Sequence, residues 1–152
     1  MSDTKVIFLA DNFAAALAAA SGATLAKAVK AGGQVVEAYA KINASRGRPG
    51  LNVVTSNLFN SINTKLAKST DTSAEADVGP TAVYGRIHEL GGIITAKAGG
   101  WLRFMVGGQW VTVASVHIPA RPYLRPAVDE NMDAIGQAIG NVLKDALEAA
   151  TK

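Results

Sequence analysis

The residues best equipped for chemistry in this 152-residue chain are His88-Glu89, which stand together, and His117, far along the sequence. Two imidazoles and a carboxylate are a ligand set for a transition metal. The spacing argues against that use. Adjacent residues on a helix point about 100° apart, the chain has no HExxH pattern, and no third ligand is placed to help. Asp129, Glu130 and Asp133 are the other carboxylate group. They open a predicted helix, where acidic side chains complement its positive end. There is no cysteine, which excludes a disulfide framework, a thiolate metal site and a cysteine nucleophile. Glycines are plentiful, but neither a phosphate loop, a dinucleotide fingerprint nor a nucleophile elbow is formed. The expectation is a protein with no catalytic residues, no metal and no cofactor.

Two arginines remain, and their setting is the strongest local signal. Arg121 and Arg125 lie in Ile118-Pro119-Ala120-Arg121-Pro122-Tyr123-Leu124-Arg125-Pro126-Ala127. Each proline fixes its own φ, removes a donor and pushes the preceding residue toward an extended conformation. The segment is therefore a stiff connector that aims its side chains. Arginine forks hold carboxylates at two points. The spacing fits equally well an internal clamp, onto Glu89 or a helix C-terminus, and a clamp onto a neighbouring subunit. Trp101 and Trp110 flank a Gly107-Gly108 turn and read as cross-strand neighbours, one assigned to the core and one to a contact surface.

The elements that must position these groups follow from periodicity. Size predicts one domain over 1–152. Residues 1–10 read as an arm with a short strand at Val6-Ile7-Phe8-Leu9, and Asp11 as an N-cap for a helical region over 11–45. Leu25, Val29, Gly32, Val36 and Tyr39 form its apolar stripe. Residues 55–117 read as an antiparallel sheet with a short inserted helix over 82–90. Its clearest part is a hairpin over 101–116, whose Gly-Gly turn supplies positive φ. Trp101, Arg103 and Met105 alternate with Leu102, Phe104 and Val106, so both hairpin faces carry apolar groups and both call for cover. The proline connector, 118–127, leads into a helix over 126–150. There Leu124, Val128, Met132, Ile135, Ile139, Val142 and Ala146 make a sustained stripe. The fold class expected is α+β: an antiparallel sheet with a long N-terminal and a long C-terminal helix packed on one face.

Charge narrows the partner classes. The net charge is +3, and the excess lies in residues 1–50, in Lys5, Lys27, Lys30, Lys41, Arg46 and Arg48. These lack the interleaved aromatics of a nucleic-acid surface. No stretch reaches the length of a membrane span, and the early Asp11-Asn12 interrupts any signal-like run.

Three stretches, in order, carry a resemblance. Thr55-Ser56-Asn57-Leu58-Phe59-Asn60-Ser61-Ile62 is similar to a Thr-Gly-x-Leu-Arg-x-Ser-Ile block, with Ser56 at the glycine and Phe59 at the arginine. Val78-Gly79-Pro80, then Tyr84-Gly85-Arg86-Ile87-His88-Glu89-Leu90-Gly91-Gly92, resembles a "valine-glycine, tyrosine, His/Glu-aromatic-glycine" helix end. Ile118–Ala127 resembles a Pro-x-Arg-Pro-Phe-Leu-x-Pro-Ala connector. These blocks belong to the tail-completion, or head-tail joining, proteins of tailed bacteriophages, a group of neck and virion-morphogenesis proteins. The likeness spans roughly 35–150, and the 101–116 hairpin is an insertion in it.

The resemblance implies a structural virion protein, made in the host cytoplasm, that forms a homo-oligomeric ring at the head-tail junction, a hexamer or dodecamer. Its expected partners are other copies of itself, a neighbouring neck or connector protein, and a tail tube or tail terminator. Genomic DNA would pass through the lumen without sequence-specific binding, and no membrane is involved. A tail terminator capping the tube is the nearest alternative; a small nucleic-acid-binding protein and a metal-dependent hydrolase are more distant ones. The interface candidates are Arg86, His88, Glu89, Trp101, Trp110, Arg121, Tyr123 and Arg125.

Overall fold

The computed structural model describes residues 21–47, 51 and 56–150. The predicted arm over 1–10, its strand, the Asp11 cap, the first helical turns, the Pro49-Gly50 turn and Thr55 lie outside the described residues. The elements run α1 (Gly22–Ser45), α2 (Asn57–Ser61), β1 (Ile62–Ser69), β2 (Ala74–Pro80), α3 (Gly85–Leu90), β3 (Gly92–Thr95), β4 (Leu102–Val106), β5 (Gln109–Val113), β6 (Ser115–Ile118), α4 (Leu124–Asp129) and α5 (Met132–Ala150). The chain is α+β, as its periodicities predict.

Helix α1 is the centre of the body. It packs on the β1–β2 pair on one side and on α4 and α5 on another. Two adjacent glycines explain how one helix serves both neighbours. A Cβ on Gly32 would stand 2.9 Å from the Ile139 side chain on α5; one on Gly33 would stand 2.5 Å from the Thr64 methyl on β1. Each glycine removes the atom that would hold a neighbour off. Around them Val36, Ile62, Tyr123 and Ile135 are fully buried, joined by Ala40, Ala44, Val78, Leu124 and Ala127. Each large aliphatic so buried is worth about 1.5–3 kcal/mol. A smaller cluster, Leu25, Ala28 and Leu143, closes the other end of the helix pair.

Two expectations are corrected here. The single sheet is three antiparallel two-stranded pairs, β1–β2, β3–β6 and β4–β5. The C-terminal helix is two pieces, broken at Glu130-Asn131. Beside that break Met132 is 53% exposed, whereas Ile135 is buried and Ile139 and Val142 pack against the core as the stripe predicts; Leu143, which the stripe leaves out, is buried as well.

Beyond the body, residues 92–118 form a β-ribbon. Its base is β3–β6, in register from Gly92↔Ile118 to Thr95↔Ser115. Its tip is β4–β5, from Leu102↔Val113 to Val106↔Gln109. The Ala96 N–H donates to the Ala114 carbonyl at 2.9 Å and links the two ladders. Gly107 and Gly108 turn the tip with φ of 57° and 84°, the positive pair that a tight hairpin requires.

Candidate functional site

The connector and α3 meet at one buried carboxylate. A helix leaves the N–H groups of its first turn without partners, and in α4 those belong to Tyr123, Leu124, Arg125 and Pro126. Proline has no N–H. Glu89 takes the other three: its Oε2 accepts from Tyr123 at 2.7 Å and from Leu124 at 2.9 Å, and its Oε1 accepts from Arg125 at 2.9 Å. Glu89 is 8% exposed and is the one buried charged residue among those described. Charge-assisted bonds of this kind are about twice as strong as neutral ones. The helix end and the carboxylate therefore satisfy each other.

Around that joint the backbone is tied twice more. The Arg121 N–H donates to the His88 carbonyl at 2.8 Å, and the Tyr123 hydroxyl donates to the Gly85 carbonyl at 3.3 Å. A Cβ on Gly91 would stand 2.7 Å from the Ala120 nitrogen, so the two strand ends lie close. Burial, and then the charge of Glu89, raise the pKa of the Tyr123 hydroxyl and keep it a donor. All these ties join residues 85–91 to 120–125, the two ends of the ribbon. Glu89 thus closes the base from which the ribbon projects.

The interface candidates separate accordingly. Tyr123 is 0% exposed and Glu89 is buried, so neither can meet another subunit, and both leave the interface set. Neither arginine clamps Glu89 with its guanidinium. Arg125 is exposed and makes a 3.4 Å ion pair with Asp129, four residues on along the helix, of a kind worth little. Arg121 is partly buried beside His88. Burial, and secondly the Arg121 charge, lower the His88 pKa; its Nδ1 is buried with no hydrogen-bond partner among the described residues. His88 also meets Tyr84 edge to face at 5.9 Å. Arg86 is exposed. His88 on α3 and His117 on β6 are not brought together with a third ligand: no cluster that could hold a metal occurs among the described residues.

The tryptophans are the second half of the site. Trp101 is 69% exposed, Trp110 60% and Met105 57%. Met105 and Trp110 face each other across the strands, as do Arg103 and Thr112, so these side chains share one face. The Arg103 guanidinium lies 4.7 Å from the Trp110 ring centre, a cation–π contact that fixes the ring. Two expectations are corrected: Trp110 faces Met105 across the strands, with Trp101 just before β4, and both tryptophans are on the surface, in a strand pair that forms a ladder only with itself. The opposite face holds Leu102, Phe104, Val111 and Val113, all partly buried, with Leu102 opposite Val113 and Phe104 opposite Val111.

A family model described as the phage virion morphogenesis family matches residues 6–148. The chain belongs to that family. No curated protein and no solved structure gave a match. Membership covers nearly the whole chain, ribbon and joint included. It gives the protein its setting, the building of a phage virion. Among the described residues no helix is long and apolar enough to cross a membrane.

Membership also gives meaning to one departure noted in the sequence. Ser56, which stands where the similar block has glycine, has φ of 57° and precedes α2. A left-handed residue there costs an L-amino acid about 1 kcal/mol and glycine nothing. The backbone conformation thus accounts for the glycine of the pattern.

Proposed function

We propose that this chain is a structural, non-enzymatic virion protein that forms a ring at the head-tail junction, between the portal-side connector and the tail, with the genome passing through its lumen. One observation carries the proposal: a family member of this kind holds out a ribbon with both of its tryptophans exposed. Apolar patches of that sort on a small protein mark contact surfaces. In a ring each subunit presents two different faces to its neighbours, and an arm on one side of a compact body supplies that asymmetry. The thin charge, +3 over 152 residues, favours a passage over a grip, because each phosphate neutralised strengthens and salt-sensitises DNA binding.

Electron microscopy tests this reading. Ring particles of the purified protein, and a matching ring at the neck of the virion, are expected. A strict monomer that accompanies neither capsids nor tails would sink it. Gel-shift at physiological salt should give weak, sequence-blind DNA binding; tight, sequence-specific binding would move the protein to another class.

A further inference from the structure

The ribbon face needs an occupant, and the body of the same chain offers one. Trp101, Met105 and Trp110 are exposed on the ribbon, and the cation Arg103 lies over the Trp110 ring. The start of α5 presents the reverse: exposed Met132 flanked by exposed Glu130 and Asp133, neither in an ion pair among the described residues. Four residues along from Met132 comes Gly136, and four further Gly140, on the same side of the helix. A Cβ at either would meet nothing within 4 Å. Packing inside the subunit therefore asks for no glycine there, although each weakens the helix by about 1 kcal/mol relative to alanine. Bare backbone beside an exposed methionine leaves room for a large flat side chain to lie close.

We infer that the Trp101–Met105–Trp110 face of one subunit's ribbon docks on the Met132–Gly136–Gly140 side of α5 in a second copy, with Arg103 against Glu130 and Asp133. This deepens the ring reading and rests on it. The contact joins two different surfaces of one chain, so it is heterologous and repeats from copy to copy until it closes. Charge complementarity selects the neighbour: the ribbon brings a cation beside its aromatics, and the α5 start brings exposed carboxylates that form no ion pair among the described residues beside its apolar patch. Opposed charges of this kind set orientation and register.

The chain has no cysteine, which makes disulfide trapping clean. With Thr112→Cys on the ribbon face and Gln137→Cys on α5, oxidation of the assembled protein should give a ladder of covalent multimers on a non-reducing gel. Neither single variant should give more than a dimer. Arg103→Glu should weaken self-association by about tenfold or more, and adding Glu130→Lys with Asp133→Lys should restore it. All these positions are exposed, and an unchanged thermal melt confirms that each variant is folded. Rings that form normally with Arg103→Glu and never trap the cysteine pair would overturn this contact while leaving the ring reading standing. A wild-type chain that stays monomeric alone and is missing from the particle would overturn both. Single-stranded DNA that quenches the tryptophans and blocks trapping would reassign the ribbon face to nucleic acid and overturn the contact.

Discussion

The body and the ribbon are built on opposite principles. The body has a buried core around Val36, Ile62, Tyr123 and Ile135, although Val83, Leu90 and Met132 stay exposed on it, and the one buried charge among the described residues is answered by three backbone donors. In the ribbon two strands pair only with each other and leave their largest side chains in water. An isolated two-stranded ribbon is marginal by itself. Here its two ends are tied by Glu89, Arg121 and Tyr123, so it borrows order from the body at its base. The body's interactions are spent on folding, and those of the ribbon tip are held open for another surface.

Substitutions can break this contrast, and the largest effect belongs to the joint. Glu89→Ala leaves three N–H groups of α4 without acceptors, each loss worth about 1–3 kcal/mol. A destabilisation of at least about 3 kcal/mol is expected by urea unfolding, and Glu89→Gln should recover part of it. A fully stable Glu89→Ala protein would mean that the base is held by something else. Next comes Gly33→Ala: the added methyl meets Thr64 and should cost about 1–3 kcal/mol as overpacking, read by the same unfolding curve.

Smaller effects sharpen the same contrast. Ser56→Gly should stabilise the body by about 1 kcal/mol, because φ of 57° strains any L-residue. His88 should give the body a mild acid sensitivity. Its folded pKa lies below the ordinary value of 6.5, so the unfolded chain binds the proton first. The contribution is complete above about pH 6.5 and is lost as the pH falls through the folded pKa. Thermal melts from pH 7.5 to 5 should show a decline that flattens in His88→Gln.

The parts of the molecule that repeat locally were legible in the sequence. The stripe of the first helix, the antiparallel strands within 55–117 and the Gly107-Gly108 turn all follow from neighbours along the chain. The joint was not. Glu89 reaches backbone groups 34 to 36 residues away, and backbone donors leave no side-chain signature. The available clue was Pro126 in the first turn of a helix, which leaves three N–H groups there to be answered. Tyr123 follows from the same distance: a residue among prolines reads as surface until the carboxylate that accepts from its backbone is known. The break at Glu130-Asn131 was hidden because Met132 keeps the spacing of the stripe while losing its cover. On the ribbon, alternation predicts two faces with apolar groups, as the register shows, but alternation does not say what covers them, and the β4–β5 pair extends no other sheet.

The division of labour between body and ribbon is tested most directly by measuring stability and assembly on one sample of a Trp101→Ala, Trp110→Ala protein. The expected result is an unfolding free energy within about 0.5 kcal/mol of wild type, as for exposed positions elsewhere, together with loss of the oligomer by light scattering and loss of incorporation into particles. A protein that assembles normally, or one that unfolds because these two side chains are gone, would contradict the account.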